Sequence, residues 1–116
     1  MDGARKKIEG EVSSWSGVTA ASHRFEGVEF RVGKVELGHL HGDYLADLPF
    51  PTKLRNQLVE EGRAGPHHVL PASGWVSRRI KDRSDVDEVI ALFRMNYDRL
   101  AARARTRTVR PDLRNT

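Results

Sequence analysis

Apolar residues recur along the chain in two different periods. Ile8, Val12 and Trp15 stand at helical spacing between charged residues, which predicts a short amphipathic helix over residues 4–15. Ser16-Gly17 ends it. The period then drops to two over residues 19–25, 28–32, 35–41 and 44–48. Glu26-Gly27, Gly33-Lys34 and Gly42-Asp43 punctuate these segments, and Gly supplies the positive φ that tight hairpin turns demand. The pattern predicts a four-stranded antiparallel meander. With two-residue turns, Val28 faces His39, Phe30 faces Leu37 and His23, His41 faces Tyr44, and His39 faces Ala46. His23, Val28, Phe30, Leu37, His39, His41, Ala46 and Leu48 then share the core face. Arg24, Glu29, Arg31, Glu36 and Asp47 line the other face with Leu40 and Leu45.

Pro49-Phe50-Pro51 stops the sheet. Thr52 is placed to cap a helix over residues 53–61 with Leu54, Leu58 and Val59 as its apolar stripe and Gly62 just past its end. Residues 67–70 read as extended, residues 71–74 as a turn and residues 75–80 as a strand. A last helix starts at Ser84 as N-cap, and Val86, Val89, Ile90, Phe93, Tyr97 and Leu100 form its continuous stripe. The stripe ends before Arg103, and Pro111 argues against late helix. The expected architecture is α+β: an antiparallel sheet, made of the four-stranded meander plus two later strands, with about three helices packed on one face. Residues 1–102 form the expected single domain, and residues 103–116 a basic, disordered tail.

The chain has 116 residues, enough to bury a core without disulfide or metal staples. It has no cysteine, which removes disulfides, thiolate zinc sites and thiol nucleophiles. Residues 1–102 carry 15 basic and 15 acidic side chains, so the net charge of +4 resides wholly in the tail. There Arg103, Arg105, Arg107, Arg110 and Arg114 face Asp112 alone. The basic balance therefore does not describe the folded surface. No apolar run approaches the roughly 20 residues that span a bilayer. The polar start lacks the apolar segment of a secretory signal, so no membrane partner and a cytoplasmic location are expected.

Candidate chemistry centres on His39 and His41, which lie on one side of one strand with Cβ atoms about 6.5–7 Å apart. That spacing lets both imidazoles reach one ligand or one ion, and zinc or non-haem iron would suit them. Asp43, just past the turn, is the expected partner that orients an imidazole. His67 and His68 follow Gly65-Pro66; adjacent strand residues face opposite ways, so only one of the two is expected to join. His68 is that candidate. Tyr44, Trp75 and Tyr97 are aromatic groups with polar handles that can pack in the core or stack on a planar ligand. No Gly-x-Ser-x-Gly elbow, dinucleotide fingerprint or P-loop occurs. The Arg-rich tail offers phosphate contacts but no aromatic platform for bases.

Glu36-Leu37-Gly38-His39-Leu40-His41, then His67-His68 after Gly-Pro, then Gly74-Trp75-Val76 and a helix ending near Tyr97, resemble the luciferase domain shared by fungal luciferases and small bacterial proteins. The resemblance covers about residues 23–100. It implies an oxygen-using, oxidoreductase-type reaction on a polyphenolic pyrone, with no organic cofactor. His39 and His41 match the family's paired-histidine element. The resulting expectation is a pocket for a planar phenolic or enolic substrate. His39 or His41 is its general base, Tyr44, Trp75, Tyr97 and His68 touch the substrate, and Asp43 orients a ring. No cofactor is required by this reading, though a divalent metal on His39 and His41 is compatible with it. The alternative is a non-enzymatic interaction or nucleic-acid-binding module that uses the tail and leaves the histidines structural. The oligomeric state is not encoded in any pattern found.

Overall fold

A computed structural model describes residues 2–23 and 27–114; side chains are described as far as residue 104, that of residue 23 excepted. The elements in order are α1 (Ala4–Val12), β1 (Val18–His23), β2 (Gly27–Val32), β3 (Val35–His41), β4 (Leu45–Pro49), α2 (Thr52–Glu60), β5 (Gly65–Pro66), β6 (Trp75–Arg79) and α3 (Arg83–Arg114). The strands form one antiparallel sheet in the order β1-β2-β3-β4-β6-β5. The expected α+β class is correct, with its meander and two added strands.

One core joins sheet and helices. Ile8 and Val12 of α1, Leu58 of α2 and Val86, Val89, Leu92 and Phe93 of α3 are buried with Phe30, Leu37, Leu40, Leu48 and Val76 of the sheet. Phe30 and Phe93 meet edge to face at 5.2 Å, a geometry that adds about 0.5–1.5 kcal/mol to simple burial. The stripe read from the sequence of α3 therefore seats that helix on the sheet. Asp82, not Ser84, caps it, its carboxylate accepting the Asp85 N–H at 3.1 Å. Helical backbone continues to Arg114, beyond Arg103, where the sequence predicts fraying. The side chains of the expected basic tail past residue 104 lie outside the described residues.

The pairing departs from the predicted register in three places. Val32 faces Val35 across the two-residue Gly33-Lys34 turn, as expected. Beyond Arg31↔Glu36 the next pair is Phe30↔Gly38, so Leu37 is the extra residue of a β-bulge. From there Leu40 faces Val28 and His39 faces Glu29. Leu37 and Leu40 are both buried, whereas strict alternation would put them on opposite faces. The second departure is a three-residue turn, Gly42-Asp43-Tyr44, which pairs His41 with Leu45 and His39 with Asp47. Bulge and turn each add one residue, so their effects cancel in β4, where Ala46 and Leu48 are core as expected. Of these two strands only the end of β3 is inverted. The third is β1, where Ser22 faces Val28 and Ala20 faces Phe30. Gly27 belongs to β2 and pairs with His23, so it is not part of the predicted two-residue Glu26-Gly27 turn; residues 24–26 and the side chain of His23 lie outside the described residues.

The bulge is held from the helix side. Gly38 has φ +151°, and a Cβ there would stand 2.8 Å from the Asp47 carbonyl oxygen and 2.8 Å from Phe93 Cε1. The Leu37 carbonyl, displaced from regular pairing, accepts a hydrogen bond from buried Asn96 Nδ2 at 3.0 Å. A buried carbonyl left without a donor would cost about 1–3 kcal/mol. The sheet thus turns His39 and His41 away from the helices.

Candidate functional site

The face of the sheet opposite α3 carries the histidines. His39 on β3, Asp47 on β4 and Ser77 on β6 are successive partners across three strands, so their side chains line up in one row. His41 lies two residues along β3, on the same side. The segment after β5 does not extend the sheet as a strand. Gly65-Pro66 pairs with β6, and the following residues turn back over the row. Because this segment is a loop, strand alternation does not separate its neighbours, and both His67 and His68 reach the same carboxylate. The expectation that only one of them joins is overturned on that ground.

Asp47 is the hub. Its carboxylate is fully buried. Oδ1 accepts the Ser77 hydroxyl at 2.6 Å. Imidazole Nε2 atoms surround Oδ2: His41 at 2.8 Å, His68 at 3.1 Å, His39 at 3.3 Å and His67 at 3.4 Å. Burial opposes the Asp47 charge, but the hydrogen bonds from His39, Ser77, His68 and His41 outweigh it and hold the carboxyl well below the usual carboxylate range.

The two ends of the cluster differ in protonation. His39 Nδ1 meets Glu36 Oε2 at 2.7 Å, which fixes a proton on Nδ1 and turns Nε2 toward Asp47. Burial disfavours a charged His39, yet Asp47 and Glu36 together raise its pKa above the ordinary value. His67 Nδ1 instead accepts the Val69 and Leu70 backbone N–H groups at 3.1 and 3.0 Å, so its proton sits on Nε2. Burial lowers the His67 pKa, and His68 and His39 add to that by repulsion while Asp47 partly offsets it. His67 is therefore a neutral donor and His39 the ring most prone to carry charge.

Aromatic contacts complete the cluster. His39 and His41 meet edge to face with centroids 5.0 Å apart, His67 stacks on His68 at 4.4 Å, and Trp75 lies 5.3 Å from His39 and 5.9 Å from His67. Above them opens a cleft of about 430 Å³ lined by these rings, Asp47, Val69 and Leu70. Val69 and Leu70 are 67% and 52% exposed, an apolar wall facing solvent. Two overlapping groups of donor atoms, His39–His41–Asp47 and Asp47–His67–His68, lie within 4.8 Å of one another, close enough to hold a metal ion.

The structure brings together His39, His41, His68 and Trp75 from the residues singled out in the sequence. It adds Asp47, His67, Glu36 and Ser77. Asp43, Tyr44 and Tyr97 stand elsewhere. Asp43 accepts the Arg5 backbone N–H at 2.8 Å and so caps the start of α1. It orients no imidazole, because the three-residue turn carries it past the end of the strand. Tyr44, at the tip of that turn, is 58% exposed. Tyr97 belongs to the helix side, with its ring 5.4 Å from Trp15 and its hydroxyl donating to the Ser16 carbonyl at 2.6 Å. Asp47 escapes the sequence pattern because alternation assigns it to a solvent face. A signal is present at Gly38: a glycine inside a strand often marks a bulge, and a bulge there turns His39 to the face that carries Asp47.

Among the described residues no helix is long and apolar enough to cross a membrane. No curated protein and no solved structure matches the chain. A family model for the luciferase domain matches residues 34–96, which run from the hairpin before β3 to Asn96 on α3 and include every side chain of the cluster. The match covers more than half of the chain, and the protein belongs to the luciferase-domain family.

Proposed function

We propose that the cleft binds a small planar phenolic or enolic molecule and promotes its reaction with oxygen. The observation that carries this reading is the pairing of a buried, charged carboxylate and its ring of imidazoles with an apolar wall in one open cleft. A volume of about 430 Å³ suits a ligand of two or three rings. Trp75 offers a flat surface beside His39, and Val69 and Leu70 supply apolar contact. The His67 Nε2–H and the Asp47-linked imidazoles supply a donor and a proton acceptor at the floor. Transfer of the ligand's hydroxyl proton to an imidazole, His41 being the more open of the β3 pair, leaves an electron-rich anion. Positive charge held between His39 and Asp47 stabilises that anion. Membership of the luciferase-domain family is what supports the oxygen chemistry in this reading.

The test uses a polyphenolic pyrone as probe, with binding read from quenching of tryptophan fluorescence and turnover from oxygen uptake. His39→Ala and His41→Ala are expected to keep the circular-dichroism spectrum and lose the quenching. Binding by both variants at wild-type affinity would remove this reading and leave the histidines a structural role. Trp75→Phe separates quenching at the cleft from the signal of Trp15.

A further inference from the structure

We infer that His39, His41 and Asp47 form a binding site for a divalent first-row transition metal ion, with iron(II) the ion best suited to the donor set. This rests on the cleft being the ligand site, and it assigns that site an inorganic partner.

Proton accounting on Asp47 is the starting point. A carboxylate oxygen has two lone pairs in its plane. Oδ2 has imidazole nitrogens at 2.8, 3.1, 3.3 and 3.4 Å, more than it can serve with good hydrogen bonds. His39 holds its Nδ1 proton against Glu36, so as a neutral ring it turns a bare Nε2 lone pair toward Oδ2. Two electron-rich atoms facing each other at 3.3 Å repel unless a cation lies between them. A proton can fill that role, which makes His39 an imidazolium. A metal ion fills it for His39 and His41 at once.

The donors are arranged for that. His39, His41 and Asp47 present their ligand atoms within 4.8 Å of one another. Donors on one ion with bonds of about 2.1 Å stand about 3–3.5 Å apart, so small rotations about the side-chain bonds close the set. The supports a metal site requires are already present. Glu36 holds His39 through the ring nitrogen that would not bind the metal, and Ser77 holds the Asp47 oxygen that would not bind it. His67 is excluded as a ligand in its present form, because its Nδ1 takes two backbone N–H groups and its Nε2 bears the proton. Two imidazoles and one carboxylate on one side of an ion leave its remaining positions open toward the cleft, the arrangement that suits iron(II) in oxygen chemistry. The absence of thiolates argues against copper(I) and structural zinc.

The experiment titrates chelator-treated full-length protein with cobalt(II), zinc(II) and, without oxygen, iron(II), with magnesium as control. Calorimetry and the cobalt visible spectrum report binding. One equivalent per chain is expected for the transition ions and none for magnesium. His39→Ala and His41→Ala should each weaken binding at least 100-fold, and Glu36→Gln by about 10–100-fold through the outer support. His67→Gln should stay within about threefold of wild type. No stoichiometric uptake, or equal affinity in the His39 and His41 variants, overturns the proposal. Because Asp47→Ala can fail to fold, the more exposed His41 decides the matter. Pyrone binding by the metal-free protein is measured in parallel. If the pyrone binds while no metal does, the metal site falls and the cleft reading stands. If metal is taken up and the pyrone does not bind, the metal site stands and the phenolic substrate falls.

Discussion

Gly38→Ala isolates the feature that aims the histidines. The methyl group would stand 2.8 Å from the Asp47 carbonyl oxygen, 2.8 Å from Phe93 Cε1 and 3.1 Å from Leu48 Cγ. The first of these is backbone of the neighbouring strand and cannot swing away. The φ of +151° adds strain for any residue with a Cβ, of order 1–3 kcal/mol. Overpacking against Phe93 and Leu48 adds about 1–3 kcal/mol more. The expected loss is about 2–6 kcal/mol, and in a domain of roughly 100 residues each kcal/mol lowers Tm by about 4 °C or more. Urea unfolding followed by circular dichroism measures it, with an unchanged m-value showing that the denatured state is not the source. The site should suffer as well, since a strand that relieves the clash by losing the bulge returns His39 and His41 to the helix side. A variant within about 0.5 kcal/mol of wild type would refute the account of the bulge.

Asn96→Ala removes the donor to the Leu37 carbonyl and should cost about 1–3 kcal/mol, seen as a lower urea midpoint; an unchanged midpoint would mean the carbonyl finds water instead. The lowered Asp47 pKa stabilises the fold above the unfolded value of 3.8, and that contribution is lost as pH falls through the folded value. Wild type should therefore lose stability steeply below about pH 4, and Asp47→Asn should flatten that limb. The raised His39 pKa acts in the other direction: its contribution is complete below 6.5 and fades as pH rises through the folded value. His67, with a lowered pKa, opposes this by losing stability as pH falls below 6.5. In His39→Gln the loss of stability as pH rises above 6.5 should be smaller than in wild type. Removing residues 105–116 should leave Tm within about 2 °C, because Leu100 is the last core side chain among the described residues. Any salt-dependent affinity for DNA should vanish with those residues; affinity that survives the truncation would move the basic contact onto the folded body.

Sequence periodicity alone determined α1, α2, the first part of α3, the strands β1 to β4 and β6, and the side of α3 that packs. Those features depend on local spacing, since apolar residues every three to four positions, or every second, leave few other ways to bury them. The pairing of Val32 with Val35 was equally legible, because Gly33-Lys34 leaves room for only a two-residue turn. Tertiary structure decided the face on which the histidines stand. One surplus residue at Leu37 inverts the positions that follow it in β3, and its place in the strand is settled by Phe93 pressing on Gly38 and Asn96 binding the freed carbonyl. Both contacts come from a helix some sixty positions later in the chain, a distance no local pattern spans. The same holds for Asp47, whose burial depends on a loop folding back from beyond β5 to bring His67 and His68 above it.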